Sequence, residues 1–159
     1  MFTLNESDWE EKRYTFPKLR YYNMFKASFS AEDYVTCNLP KWNRSLLAQF
    51  RAGILPLEVE IGRYQNTDLA DRICKLCNSG EVEDEVHLLC ICPQYIQFRN
   101  DLFSAAEDVE PGFISMDVFD KLVFITTNLH NDLAEFLKQA IIKRRQILYP
   151  QLYPYYIYC

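Results

Sequence analysis

Glycine and long apolar runs are scarce in this sequence, and each scarcity removes a class of protein. Only four glycines occur among the 159 residues, too few and too scattered for a glycine-rich phosphate-binding loop. No uncharged apolar stretch reaches the length of about 18 residues that a transmembrane helix needs. The opening residues, MFTLNESDWEEKR, are acidic and lack the apolar run of a signal peptide. We therefore expect an intracellular protein, nuclear or cytoplasmic and not secreted, with no membrane partner.

The composition is that of a folded chain, and its charge is unevenly distributed. Hydrophobic residues make up 49% and charged residues 25%, with a net charge of −5, so the whole chain is not a generic nucleic-acid binder. Residues 12–53 nevertheless carry eight basic and two acidic side chains, whereas residues 54–111 carry four basic and twelve acidic ones. The first segment could therefore face phosphate, while the second would repel it.

Apolar periodicity predicts a mainly helical domain. Residues 133–148 show the clearest stripe, and residues 40–53 open with proline and close with glycine, as a helix does. Further helices are predicted over residues 18–29, 93–109 and 116–127. The alternating residues 57–64 predict a short extended segment before the cysteines. We divide the chain into a disordered tail at 1–11, a helical domain at 12–150 and a tyrosine-rich extended tail at 151–159.

Four of the six cysteines and one of the two histidines lie within residues 74–92. The spacing Cys-x2-Cys-x9-His-x4-Cys offers four soft ligands, which are Cys74, Cys77, His87 and Cys92. In a reducing compartment such a cluster favours metal over disulfides. Four nitrogen and sulfur ligands with no spare position are typical of a structural, tetrahedral zinc site.

Cys90 leaves this ligand set open. It lies three residues after His87, so on a continuing helix the two would share a face and could form the second ligand pair. Pro93 favours Cys92 instead, because it biases that residue away from helical geometry and lets its sulfur turn back. In that case Cys90 is a small buried apolar residue.

Other candidate chemistry is weak. His130 lies at a helix start and is interpreted as a surface or capping residue, and no serine or free cysteine has an evident base partner. The run Lys143–Arg145 lies at a helix C-terminus, where basic residues compensate the helix dipole. No small-molecule substrate and no enzymatic activity are predicted.

The segments RSLLAQFRAGILPLEVEIGRY and DRICKLCNSGEVEDEVHLLCICPQY resemble the zinc-binding module at the C-terminal end of reverse transcriptases of non-LTR (LINE-type) retrotransposons. The resemblance spans roughly residues 18–150. It implies a structural zinc on the same four ligands and places an apolar residue where Cys90 stands. It also implies a non-catalytic module that helps a polymerase hold nucleic acid.

The chain departs from such enzymes in what it lacks. A polymerase palm needs paired aspartates for two metal ions, and neither that motif nor an endonuclease region is present. The predicted partner is RNA or single-stranded DNA. The contact residues expected from the basic segment and from the surroundings of the cysteines are Lys41, Arg44, Arg51, Arg63, Arg72 and Lys75. The alternative is a protein-interaction module with a protein partner, or an inert transposon remnant.

Overall fold

The protein, described here by a computed structural model over residues 5–152, is built from helices. Its α-helices are α1 (Glu6–Thr15), α2 (Tyr22–Phe25), α3 (Lys41–Arg51), α4 (Glu58–Tyr64), α5 (Ile96–Val109), α6 (Val118–Asn128) and α7 (His130–Leu148). Shorter helical turns cover Asp33–Val35, Leu69–Asp71, His87–Ile91, Pro93–Tyr95 and Phe113–Ser115. The predicted mainly helical fold is confirmed.

Helix α7 is the centre of the core. Its apolar stripe is buried through the middle of the helix, where Leu133, Leu137 and Ile141 are fully buried. Helices α3, α5 and α6 pack around it, and α3 contributes Leu47 and Phe50 from its own stripe. Both helices match their sequence predictions because a long amphipathic stripe can be buried in only one orientation.

Gly53 closes α3 at a point where another part of the chain touches it. Its φ is +64°, and a Cβ built there would lie 1.9 Å from the carbonyl oxygen of Lys18. Glycine alone fits this left-handed position without moving the backbone. The contact fixes the segment that leads to Arg20. The guanidinium of Arg20 donates to the carboxylate of Glu85 at 2.7 Å, two residues before His87.

The N-terminal segment differs from its prediction as a disordered tail. Residues 6–15 form α1, because Asn5 caps the helix by accepting a hydrogen bond from the Asp8 backbone N–H at 2.8 Å. Trp9 contacts Phe29 with ring centroids 5.7 Å apart, and Arg13 donates to the carbonyl of Lys26 at 2.7 Å. Capping and these contacts dock a segment whose composition alone suggested disorder. Residues 1–4 lie outside the described chain.

The segment before the cysteines is helix α4, so the predicted short extended segment is wrong. The alternation of Glu58 and Glu60 with apolar residues predicted a strand with one solvent-exposed and one buried face. Both carboxylates are instead about 95% buried. Glu58 pairs with Arg144 at 2.9 Å and Glu60 with Arg63 at 2.8 Å. Ion pairing allows these acidic side chains to be buried. A pattern that only separates polar from apolar residues assigns them to the solvent-exposed face.

The remaining predictions hold in part. The helix predicted over residues 18–29 is reduced to the single turn of α2. Of the predicted extended tail, residues 151–152 form a turn and residues 153–159 lie outside the described range. Within residues 5–152, no helix combines the length and apolarity required to cross a bilayer.

Candidate metal centre

A short β-hairpin turn presents the first two cysteines. An isolated antiparallel bridge joins Ile73 to Val82, so the intervening residues form a tight loop that begins at Cys74. Gly80 closes this loop with φ +73°, a conformation that residues with a Cβ adopt rarely. The loop directs the sulfurs of Cys74 and Cys77 into the domain, where Cys74 is 3% exposed.

A widened helical turn presents the other two ligands. Residues His87–Ile91 form a π turn, in which the backbone N–H of Cys92 donates to the carbonyl of His87 at 2.8 Å. Asp84 begins this element by accepting a hydrogen bond from the backbone N–H of His87, also at 2.8 Å. The residue after the turn has extended backbone geometry (φ −55°, ψ 121°), as expected before Pro93. One extra residue per turn places positions 87 and 92 on the same side, as π turns at functional sites often do.

The four side chains meet at one point. The ligand atoms of Cys74, Cys77, His87 and Cys92 all lie within 4.8 Å of one another. The sulfurs of Cys74 and Cys92 are 4.0 Å apart, and the sulfur of Cys77 lies 3.4 Å from Nε2 of His87. Zinc–sulfur bonds of about 2.3 Å in a tetrahedron give ligand separations of about 3.8 Å. The cluster therefore has the dimensions of a tetrahedral metal site.

Cys90 points away from this cluster. Its sulfur lies 3.9 Å from the carbonyl oxygen of Val118, at the start of α6. Burial raises the pKa of the Cys90 thiol to about 11, so the thiol stays protonated at neutral pH. The sequence left open whether Cys90 or Cys92 is the fourth ligand. In the structure Cys92 lies with the other three residues.

Two charged side chains that the sequence did not single out support the ligands. A carboxylate oxygen of Glu81 lies 3.2 Å from Nδ1 of His87 without hydrogen-bond geometry, close to the position from which a carboxylate commonly orients a metal-bound histidine. Arg99, from α5, is 7% exposed and donates to the carbonyls of Leu89 at 2.8 Å and Cys92 at 2.6 Å. These bonds satisfy carbonyls that the π turn leaves without helical partners.

A buried ionic network lies behind the cluster and ties it to α7. Arg144 is 3% exposed and donates to Glu58 at 2.9 Å and to Glu83 at 2.8 Å. Glu83 is fully buried and also accepts a hydrogen bond from the backbone N–H of Glu58 at 2.9 Å. Lys75, inside the cysteine loop, reaches the second oxygen of Glu58 at 2.7 Å. Dipole compensation, the role expected for Lys143–Arg145, therefore does not account for Arg144, which is held by two buried carboxylates.

Two of the ligand side chains hold their protons at neutral pH. A hydrogen bond with Cys92 and burial raise the pKa of the Cys74 thiol to about 12. Burial alone would lower the pKa of His87, but hydrogen bonds with Cys74 and Cys77 raise it to about 9. The pKa of Cys92 is lowered, chiefly by the hydrogen bond from Cys74. At neutral pH a metal must therefore displace protons from Cys74 and His87.

We accordingly expect metal binding at pH 7 to release at least two protons, those of Cys74 and His87, and the apparent affinity to rise with pH between about pH 6 and 8. Titration calorimetry in buffers with different ionisation enthalpies counts the released protons. The Cys90→Ser variant is the matched control and should release the same number. Binding with no proton release at pH 7 would contradict this description of the cluster.

Four of the six predicted nucleic-acid contacts are engaged within the protein. Arg51 is 7% exposed and bonds Glu32 and the carbonyl of Thr126, so its prediction as an exposed contact is wrong. Arg63 is held by Glu60, and Arg72 donates to two backbone carbonyls. The fourth, Lys75, remains 57% exposed although it pairs with Glu58.

The other two predicted contacts are accessible. Lys41 and Arg44 lie on the exposed side of α3. Arg44 uses one guanidinium nitrogen to donate to the carbonyl of Leu39 at 3.1 Å, which leaves the rest of its fork for a ligand. Apart from Lys75, the exposed residues among the six predicted contacts are thus confined to the N-terminal half of one helix.

One cysteine–histidine contact was missed by the sequence. The sulfur of Cys37 lies 3.8 Å from Nδ1 of His130, although the residues are far apart in the chain. Burial, reinforced by the nearby Arg51, lowers the pKa of His130. The thiol also lies 3.7 Å from the carbonyl oxygen of Asp33, to which it donates. His130 is therefore a half-buried packing residue at the junction of two elements and not a surface residue.

Comparison of the chain with protein-family models, with curated proteins and with solved structures finds no match in any of the three.

Proposed function

We propose that this protein is a non-catalytic zinc-binding module of the type found in the tails of non-LTR retrotransposon reverse transcriptases, and that it helps to hold RNA or single-stranded DNA. The observation that carries the proposal is the convergence of Cys74, Cys77, His87 and Cys92 within 4.8 Å. These are the ligands that the resemblance implies.

Zinc is the metal that suits this ligand set best. Three thiolates and one imidazole in a tetrahedron are typical of structural zinc, whereas calcium and magnesium prefer oxygen ligands. An intracellular, reducing environment keeps the thiols available for the metal. The free cysteines at the site agree with this role.

The proposed role of the metal is structural. All four positions of a tetrahedron are filled by side chains of this protein, so none is left for a water or a substrate. The four ligands join the hairpin loop to the π turn, and Arg144 connects Glu83, which lies between the loop and the turn, to α7. Metal binding would thus stabilise the junction between the cysteine cluster and the central helix.

The nucleic-acid role is tested by the salt dependence of binding. We expect a fluorescein-labelled single-stranded RNA or DNA of about 20 nucleotides to bind modestly at about 50 mM salt and much more weakly at about 200 mM. The expected affinity is modest because residues 54–111 carry eight more acidic than basic side chains. Fluorescence anisotropy gives the slope of log K against log salt.

The two alternatives, a protein-interaction module and an enzyme, predict different experimental results. Binding of a protein partner with little salt dependence, and no binding of nucleic acid at low salt, would replace this proposal with the interaction module. Turnover of any substrate that a point mutation in this chain abolishes would contradict its non-catalytic character.

A further inference from the structure

Basic and aromatic side chains lie together on the surface where the beginning of α3 meets the end of α7. The guanidinium of Arg145 lies over the indole of Trp42, 5.5 Å from the ring centroid. Lys41 and Arg44 flank Trp42 on the same helix and are exposed. We refer to Lys41, Trp42, Arg44 and Arg145 as the α3 surface.

The two helical segments that form this surface contain no acidic residue. Helix α3 reads KWNRSLLAQFR, and the last eleven residues of α7 read KQAIIKRRQIL. Arg51 and Arg144, which belong to the same segments, are neutralised inside the protein by Glu32 and by Glu58 with Glu83. The charges that these segments present to solvent are therefore all positive, which complements a polyanion.

Trp42 is exposed where an indole is usually covered. It retains 45% of its accessible surface, although Trp carries a large apolar area that folding normally removes from water. A nucleobase can stack on such a ring, and each base–aromatic stack contributes about 1–3 kcal/mol irrespective of the base. An aromatic ring between cations is the arrangement by which proteins bind single strands.

A shallow depression of about 530 Å³ adjoins the same residues. Lys41 and Arg44 line it together with the apolar side chains of Tyr34, Val35 and Ala48. Val35 is 48% exposed, so the floor of the depression is accessible. An apolar floor with cations at its edge suits a flat base whose phosphates lie at the edge.

We propose that the α3 surface is the single-strand binding site of this protein, with phosphates on Lys41, Arg44 and Arg145 and a base stacked on Trp42. This inference rests on the proposed function and identifies the part of the molecule that performs it. It places the nucleic-acid contact on α3 and α7 and not at the cysteine loop. It also adds Trp42 and Arg145, which were not among the contacts predicted from the sequence. Duplex DNA should bind less well, because its bases are not available for stacking.

The first experiment compares two variants that lose the same charge. Lys41→Gln plus Arg44→Gln removes two positive charges from the α3 surface, and Lys12→Gln plus Lys18→Gln removes two from accessible positions outside both helical segments. Anisotropy with a 20-nucleotide single-stranded RNA or DNA should show a loss of affinity of about tenfold or more at low salt for the first variant and less than about twofold for the second. The salt slope should fall by about 1.4 for two lost phosphate contacts. Unchanged melting temperatures and metal contents verify that both variants are folded.

The second experiment detects the stacked base directly. The chain has two tryptophans, so Trp9→Phe leaves Trp42 as the sole indole fluorophore. Saturating single-stranded RNA should quench its emission, and Trp42→Ala should lower the affinity about tenfold or more.

Four outcomes would overturn the inference. Equal losses in the two charge variants would place binding elsewhere and leave the proposed function standing. Single-strand binding without quenching of Trp42 would do the same. Absence of any salt-dependent binding by the wild type would overturn both proposals, and salt-insensitive capture of a protein by the α3 surface would assign it to a protein partner.

Discussion

The Cys92→Ser variant is expected to lose its metal ion and to melt far below the wild type. The sulfur of Cys92 is completely buried and lies 4.0 Å from that of Cys74, so a hydroxyl at this position leaves a three-ligand site. Structural zinc contributes about 10–16 kcal/mol in zinc-finger peptides, which is comparable to the entire stability of a typical domain, about 5–15 kcal/mol. At least residues 70–95 should unfold. Metal analysis and circular dichroism measure the two losses.

Cys90→Ser is the matched control for this variant. It changes a cysteine two residues away whose sulfur faces Val118 and not the cluster. Its metal content should equal that of the wild type, whereas Cys77→Ser should behave like Cys92→Ser. Loss of metal in Cys90→Ser together with its retention in Cys92→Ser would show that the assigned ligands are wrong.

The second large effect is expected from Arg144→Met. This change removes the cation that lies between Glu58 and Glu83, while both carboxylates stay about 95% or more buried. Removing one partner from a buried ion pair costs about 3–5 kcal/mol, because the remaining charge is uncompensated. For a domain of this size the melting temperature should fall by about 10 °C.

Arg145→Met provides the comparison for this variant, since the neighbouring guanidinium is only half-buried and lies over Trp42. Its effect should stay below about 1 kcal/mol. Adding Glu83→Gln to Arg144→Met should restore part of the lost stability, because the unpaired charge is removed. Equal melting temperatures for Arg144→Met and Arg145→Met would contradict a structural role for the network.

Helices with long apolar stripes could be predicted from the sequence, and those with buried charge could not. Helices α3 and α7 follow from periodicity because each buries a continuous stripe. Helix α4 was missed because Glu58 and Glu60 are paired inside the protein, and an alternating pattern treats acidic residues as solvent-facing. Partners that neutralise them, such as Arg144, are distant in the chain and cannot be identified from local pattern.

The candidate metal site was predictable to a similar extent. The spacing identifies two cysteines and a histidine, but the choice of Cys92 over Cys90 depends on a π turn that adds one residue to the helical repeat. Arg44 and Arg51 are seven residues apart and share a helix face, yet only Arg44 is exposed. The end of α3 that carries Arg51 is covered by the turn at Asp33–Val35 and by Phe25. Helical periodicity predicts which side chains share a face of the helix. It does not predict which part of that face other segments cover.

X-ray absorption at the zinc edge of the purified protein tests the central claim most directly. We expect one zinc ion per chain, with three sulfur ligands at about 2.3 Å and one nitrogen ligand at about 2.0–2.1 Å. A protein without zinc, or a zinc ion with a water or carboxylate oxygen in its first shell, would contradict a closed structural site built from Cys74, Cys77, His87 and Cys92.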